Sequence, residues 1–326
     1  MNQLVDSFGR QHTYLRISVT ERCNLRCVYC MPAQGVPLKP KAEMLTFEEI
    51  FRLARIFVEM GVEKIRITGG EPLVRKNVET LIELLGGLPI KTLAMTTNAV
   101  LLADKVEELR RGGVNAINIS LDSLHADRFK ELTLRDDFHN VMRSIHAAMA
   151  ADFPVLKLNV VVIAGKNDDE LLDFVDFIKD TRVNVRFIEY MPFKDNQWHA
   201  AGLYSYADMM KQIEQRFRLV PIVGAPGDVA KDFSIEGHTG TVSFITSMTD
   251  SFCGTCNRLR LTADGYLKSC LFYQPEVSLR DEMRAGASDD RLKEVILFGL
   301  QQKPEAHPSV EELANSENRS MVEIGG

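Results

Sequence analysis

Six cysteines are the residues of this chain best suited to holding a redox centre, and they fall into two sets of three. The first set is Cys23, Cys27 and Cys30, spaced C-x3-C-x2-C, and the second is Cys253, Cys256 and Cys270, spaced C-x2-C-x13-C. Each set is one short of the four ligands that close a tetrahedral zinc site or a cubane. Zinc completed by a histidine is one reading, with His238 the nearest candidate upstream of the second set. The other is a [4Fe–4S] cubane held by three thiolates, with one iron open to a small molecule. Disulfides explain the six poorly. Residues Met1 to Arg10 hold no apolar stretch of signal-peptide length, so the chain reads as cytoplasmic, where thiols stay reduced.

The segment Cys23-Asn24-Leu25-Arg26-Cys27-Val28-Tyr29-Cys30 resembles the signature of the radical S-adenosylmethionine (SAM) superfamily. That resemblance implies an open iron chelated by the amino and carboxylate groups of SAM. One electron then cleaves SAM and releases a 5′-deoxyadenosyl radical. Gly69-Gly70-Glu71-Pro72 would by itself be an ordinary turn. Beside the cysteine triad it reads as a ligand loop, because paired glycines let backbone approach closely and Glu71 can accept from an ammonium group. Ser120, Asp122 and Met191 fall at the ends of apolar runs, where a cap, a turn or a core residue is the plainer explanation. Their shared position favours a pocket for SAM. Tyr29 lies between two of the cysteines, where its backbone could reach an adenine.

Arg258 and Arg260 alternate across Leu259, so on a strand they point the same way. Arg16, Lys64, Arg66 and Lys157 lie in other strand-like runs. Charged residues inside strands are seldom buried without a partner, so several inward cations call for an anion. A triphosphate, gripped by arginine forks, would supply it. The chain has no Walker-type loop, which excludes an ordinary nucleotide hydrolase.

The elements that must position these residues follow from periodicity. Short runs rich in Val, Ile, Leu and Thr predict strands at Tyr14–Thr20, Lys64–Thr68, Thr92–Thr97, Ala116–Ser120, Leu156–Ile163 and Val185–Tyr190. A helix starts after Thr46, whose spacing to Glu49 makes a capping box, and Gly61 stops it. Further helices are predicted near 77–86, 103–111, 138–151 and 169–179. Six β/α units predict an incomplete TIM-type barrel, since a complete one needs eight. After Met191 come a helix near Ser205–Phe217 and a Gly- and Pro-rich loop from Pro221 to Gly240. Strands at Val242–Thr246 and Arg258–Thr262, a turn at Asp264-Gly265, a strand over Tyr266–Phe272 and a polar helical stretch over Ser278–Asn315 complete the chain. The division expected is a partial barrel over 1–220 and an α+β region over 221–326 that carries the second cysteine set.

With 326 residues, 45% hydrophobic and 26% charged, the chain is long enough for such a barrel and is not mainly disordered. A net charge of −6 argues against a nucleic-acid partner, and the absence of a long apolar run argues against a membrane span.

Four segments together narrow the resemblance: Leu15 to Asn24, Lys64 to Leu73, Arg186 to Met191 and Phe252 to Leu261. With the Gly325-Gly326 tail, they are similar to the GTP 3′,8-cyclase family of molybdenum cofactor biosynthesis. The resemblance implies two [4Fe–4S] clusters, on Cys23, Cys27 and Cys30 and on Cys253, Cys256 and Cys270. It implies that Tyr29, Gly70, Glu71, Ser120 and Met191 bind SAM, and that Arg16, Arg66, Thr96, Lys157, Arg258 and Arg260 bind GTP. Arg258, Arg260, Gly325 and Gly326 would serve the reaction itself. In it, hydrogen leaves ribose C3′ and C3′ attacks guanine C8, giving 3′,8-cyclo-7,8-dihydro-GTP. An external electron donor and a downstream cyclic pyranopterin monophosphate synthase are the implied partners, with the chain a monomer or homodimer. Two departures stand out: Glu21 where the family commonly has Asp, and Ala99 where it usually has Gly, which puts a left-handed turn there in doubt. Trp198 and His199 have no assigned role. The alternatives are a peptide-modifying radical SAM enzyme, set against by the cations and the diglycine, and a non-catalytic zinc-binding interaction protein.

Overall fold

The computed structural model describes residues 3–224, 227–273, 276–316 and 319–325; Gly326 lies outside the described residues. The apolar runs form β1 (Tyr14–Ser18), β2 (Lys64–Thr68), β3 (Thr92–Thr97), β4 (Ala116–Ser120), β5 (Val155–Val162) and β6 (Asn184–Glu189). They lie side by side in that order, all parallel. Side chains alternate between the two faces of each strand. Leu15, Ile17, Ile65, Ile67, Met95, Ile117, Leu158 and Phe187 are fully buried in the main core. Their neighbours Arg16, Arg66, Thr96, Asn118, Lys157 and Arg186 line a cavity on the opposite face.

The helix after Thr46 runs over Phe47–Glu59 with both capping-box bonds made, and Ile50, Leu53, Ala54 and Phe57 are its buried face. Helices at Val78–Gly86, Val106–Arg111, Phe138–Ala150 and Leu171–Phe177 follow their strands. A further helix, Ala126–Thr133, is absent from the sequence reading. It is short and polar and buries only Phe129, Leu132 and Thr133, so few apolar residues mark it in the sequence.

The C-terminal third corrects one expectation. The stretch Pro221–Gly240 is not simply a loop: β7 (Leu219–Ile222) and β8 (Ala230–Ile235) pair there as an antiparallel hairpin. β8 is stabilised by its antiparallel neighbour β9 (Thr241–Ile245), which itself runs parallel to β6. On the other edge, β10 (Arg258–Leu261) runs parallel to β1. A turn at Asp264-Gly265 leads into β11 (Tyr266–Lys268), which ends before the predicted Phe272, and β12 (Glu276–Ser278) pairs with it. The result is an open sheet ordered β12-β11-β10-β1-β2-β3-β4-β5-β6-β9-β8-β7. The incomplete barrel is thus extended at both edges by strands from the C-terminal third. Helices at Leu279–Arg284, Asp289–Gln301 and Val310–Ala314 follow, and a last short helix, Met321–Ile324, carries the tail inward. Among the described residues, no helix is long and apolar enough to cross a membrane.

Candidate active site

Strand register arranges the inward cations in rows. Arg260, Arg16 and Arg66 are direct partners across β10, β1 and β2. One step toward the strand beginnings, Arg258, Tyr14 and Lys64 form a second row. Lys157 on β5 and Arg186 on β6 complete the wall of a cavity of about 510 Å³. That size suits a small-molecule ligand.

The crowding shows in the ionisation of these groups. Burial and then the neighbouring Arg66 and Arg258 bring Arg16 down to about 10 against the opposing pull of Tyr14. Burial, followed by Arg186, brings Lys157 down to about 8. For Tyr14, burial pushes upward, but Arg66, Arg16 and Lys64 outweigh it and hold the phenol at about 7. Arg66 Nε donates to the Tyr14 hydroxyl at 2.5 Å, and its Nη1 donates to Thr96 Oγ1 at 3.1 Å. Asn118 Oδ1, Asn159 Oδ1 and Arg186 Nε are buried in this wall without hydrogen-bond partners. Buried polar atoms are normally satisfied, so the two amide oxygens call for a donor on a ligand, while Arg186 Nε and the cations around it call for an acceptor or anion.

The other end of the cavity lies at the carboxyl ends of the strands, where Cys23, Cys27 and Cys30 line it as free thiols. Asn98 Nδ2 donates to Cys23 Sγ at 3.6 Å and to Asn24 Oδ1 at 2.7 Å. Burial and then the adjacent Cys27 push the Cys23 thiol up to about 12. The hydrogen bond to Cys30, followed by burial, raises Cys27 as well. Thiols so placed ionise together only around a positive centre, which fits an iron–sulfur cluster. Among the described residues, no three His, Cys, Asp or Glu side chains converge on a single ion.

Gly70, Ser120, Met191 and Tyr29 also line this end. A Cβ on Gly70 would stand 2.4 Å from the Arg22 carbonyl oxygen, so the close approach requires glycine. Glu71 does not line the cavity. Its oxygens accept from Leu73 N at 3.0 Å, Thr97 Oγ1 at 2.8 Å and Asn98 N at 2.6 Å, so it fastens the glycine turn to the end of β3. Burial raises its carboxyl to about 7, and those hydrogen bonds pull the other way. Ala99 takes the left-handed conformation after all, with φ 64°, in a conformation that costs a non-glycine residue about 1–2 kcal/mol. The Tyr29 hydroxyl donates to Asp122 at 2.6 Å.

Asn196 was not singled out in the sequence. Its Nδ2 donates to the carbonyls of Tyr29 at 3.1 Å and Met191 at 2.8 Å, joining the two loops. Trp198 donates from Nε1 to the Tyr190 carbonyl at 3.0 Å, and its ring lies 6.5 Å from that of Tyr190 between centroids. Arg186 was also unassigned, although the alternation that marked Arg258 and Arg260 would have found it.

Cys253, Cys256 and Cys270 are not among the residues that line the cavity, but their neighbours Phe252, Asn257 and Leu271 are. Arg258 Nη2 donates to Cys256 Sγ at 3.6 Å. Burial would raise the Cys256 thiol, but Arg258 and Lys303 outweigh it and bring it to about 7. His238, the candidate zinc ligand, packs edge-on against Phe217 with ring centroids 5.2 Å apart. From the last helix, the Gly325 carbonyl accepts from Arg16 Nη2 at 3.4 Å and Arg260 Nη1 at 3.5 Å.

Two family models match the chain: the radical SAM superfamily over residues 17–178, and Molybdenum Cofactor Synthesis C over 183–309. Two solved structures share the fold. Streptococcus suis SuiB bound to S-adenosylmethionine is 18% identical with a TM-score of 0.58, over 96% of this chain and 77% of that one. An anSMEcpe structure with bound AdoMet is 16% identical with a TM-score of 0.58, over 92% of this chain and 80% of that one. Fold and cysteine loop together define a radical SAM protein. Among curated relatives, GTP 3′,8-cyclase, mitochondrial, of Arabidopsis thaliana is 50% identical over 100% of this chain and 84% of its own. GTP 3′,8-cyclase of Syntrophomonas wolfei is 42% identical over 99% and 100%. Molybdenum cofactor biosynthesis protein 1 of Mus musculus is 51% identical over 99% of this chain, which spans only 51% of that longer protein. The chain belongs to the GTP 3′,8-cyclase family.

Proposed function

We propose that the chain is a radical SAM enzyme that joins ribose C3′ of GTP to guanine C8, the opening step of molybdenum cofactor synthesis. The observation that carries this reading is the triple row Arg260–Arg16–Arg66, set in the same cavity as Cys23, Cys27 and Cys30. When bound, a [4Fe–4S] cluster and SAM would supply the hydrogen-abstracting radical. The chain's own work is placement. Gly70, Ser120, Met191 and Tyr29 would hold SAM at the carboxyl ends of the strands. Arg16, Arg66, Thr96, Lys157, Arg258 and Arg260 would hold GTP beneath it, and we add Lys64 and Arg186 to that grip. Fixed distance and exclusion of water keep the radical on its intended path.

Cys253, Cys256 and Cys270 would hold a second [4Fe–4S] cluster facing the guanine. Gly325 and Gly326 would close the cavity over the substrate, with Arg258 and Arg260 acting at the reacting end. Glu71 would serve SAM indirectly, by holding the turn of Gly70. We retain 1–220 and 221–326 as working units, with β9 and β10 binding the second to both edges of the first. A cytoplasmic setting, an external electron donor and a downstream enzyme that consumes the cyclised nucleotide complete the proposal.

The test is an anaerobic assay with SAM, a strong reductant and GTP. Formation of 5′-deoxyadenosine should be much faster with GTP than with ATP or a peptide. Equal rates would remove GTP as the substrate. About eight iron atoms per chain after reconstitution would support two cubanes, and about four would support one.

A further inference from the structure

Lys303 follows the helix Asp289–Gln301 and is 4% exposed. Its Nζ donates to the carbonyl of Arg258 at 3.1 Å and, more closely, to the carbonyl of Ser269. Arg258 stands two residues after Cys256, and Ser269 immediately precedes Cys270. One ammonium therefore ties together the two segments that carry these cysteines.

No carboxylate pairs with Lys303 among the described residues; burial lowers its pKa, and Cys256 and Cys270 are the groups that oppose that shift. The neighbouring cations differ. Arg10, which donates to the Cys253 carbonyl at 2.8 Å, is neutralised by Asp6 at 2.6 Å. The buried Lys268 is paired with Glu276 at 2.9 Å. His12 is buried nearby, and burial followed by the charge of Lys303 lowers it to about 4, so at neutral pH it adds no further cation. A buried ammonium without an anion is strongly unfavourable. Three cysteine thiolates on a cubane would supply that anion.

We propose that Lys303 is the positioning and charge-balancing residue of the C-terminal cluster, holding its ligand segments together and favouring its reduced, more negative state. The inference rests on the reading that Cys253, Cys256 and Cys270 hold a [4Fe–4S] cluster. Reduction by a low-potential chemical reductant adds one electron to that cluster and no proton, while Lys303 stays protonated. Each added negative charge strengthens its attraction to the fixed ammonium, so the reduction potential rises. Lys303 is not among the residues that line the cavity.

The experiment uses the full chain with Cys23, Cys27 and Cys30 replaced by alanine, reconstituted anaerobically so that only the C-terminal cluster remains. Iron content and a redox titration followed by electron paramagnetic resonance are compared for Lys303, K303M and K303R. K303M should lower the ratio of reduced to oxidised cluster about tenfold at a fixed potential, equivalent to about 59 mV for one electron. K303R should stay close to the parent. Equal potentials in all three overturn the inference. If K303M loses its iron while its iron-free melting temperature is unchanged and K303R keeps iron, the holding role is supported. If the iron-free K303M protein also melts early, Lys303 is only a fold residue and the inference fails. A parent that takes up no iron overturns the two-cluster reading itself.

Discussion

Arg16 and Arg260 are register partners on adjacent parallel strands, and both guanidiniums reach the carbonyl of Gly325, at 3.4 and 3.5 Å. The tail therefore reaches the inward cations of β1 and β10. It can lie there because Gly325 has φ 78°, and a Cβ would meet Thr68 Oγ1 at 2.5 Å. The last helix thereby connects the end of the chain to the rows of cations that face the cavity.

Removing Gly325 and Gly326 should leave iron content unchanged and lower cyclisation by about 100-fold, the scale of effect that misplacement of reacting groups produces. G325A should act in the same direction through its clash with Thr68 and Ser18. The readout is cyclised product per 5′-deoxyadenosine formed. Full activity in both variants contradicts a role for the tail.

Lys157 gives the GTP grip a pH dependence. Burial and then Arg186 hold its ammonium at about 8, so it is cationic below that pH and loses its charge above it. The Kd for GTP, measured without SAM or reductant, should rise from pH 7 to pH 9. K157R keeps its charge throughout and should flatten the curve. An equally steep rise in K157R assigns the titration elsewhere.

Tyr14 has the opposite character, an acid made stronger by folding. Its phenol lies at about 7 in the folded chain, where burial is outweighed by Arg66, Arg16 and Lys64, against an ordinary value of 10.0. Between those pH values the unfolded chain binds the extra proton, so stability rises with pH. The contribution is complete above the unfolded value and is lost as pH falls through the folded one. In GTP-free protein, the Tm advantage of the parent over Y14F should grow from pH 7 to pH 9. A constant difference would mean that Tyr14 contributes only its hydrogen bond to Arg66.

The parallel core was legible because its strands are short apolar runs, with a cation between apolar neighbours in β1, β2, β5 and β6, as in Leu15-Arg16-Ile17. The same alternation placed Arg258 and Arg260 on one face. What the sequence withheld depends on pairing partners, some next in the chain and some far along it. β8 reads Ala230-Lys231-Asp232-Phe233-Ser234-Ile235, a weak strand signal that becomes a strand only against β9. Nothing local in β10 says that it pairs with β1 rather than with its own neighbours. The type and spacing of Glu71 suggest a ligand, while the hydrogen bonds that its oxygens accept come from Leu73 in its own turn and from Thr97 and Asn98 at the end of β3, which no local pattern reveals. Lys303 and Asn196 carry no motif, since their importance lies in carbonyls more than thirty and more than a hundred and fifty residues away.

Asn196 offers the most direct check on the SAM end of the cavity. It is 1% exposed, and its Nδ2 bridges the carbonyls of Tyr29 and Met191 while Oδ1 accepts from Phe193 N and Trp198 N, both at 3.2 Å. Alanine would leave those two carbonyls without their shared donor, at a cost of about 1–3 kcal/mol for the buried groups. Because both belong to residues assigned to SAM, the loss should appear as SAM binding weakened by about tenfold or more. N196D should be worse than N196A, since a carboxylate oxygen would then face two carbonyl oxygens in place of a donor. Calorimetric titration of the reconstituted protein with SAM measures the effect, and iron content shows that Cys23, Cys27 and Cys30 still hold their cluster. Unchanged SAM affinity in N196A, with iron retained, would show that the loop after β6 does not position SAM.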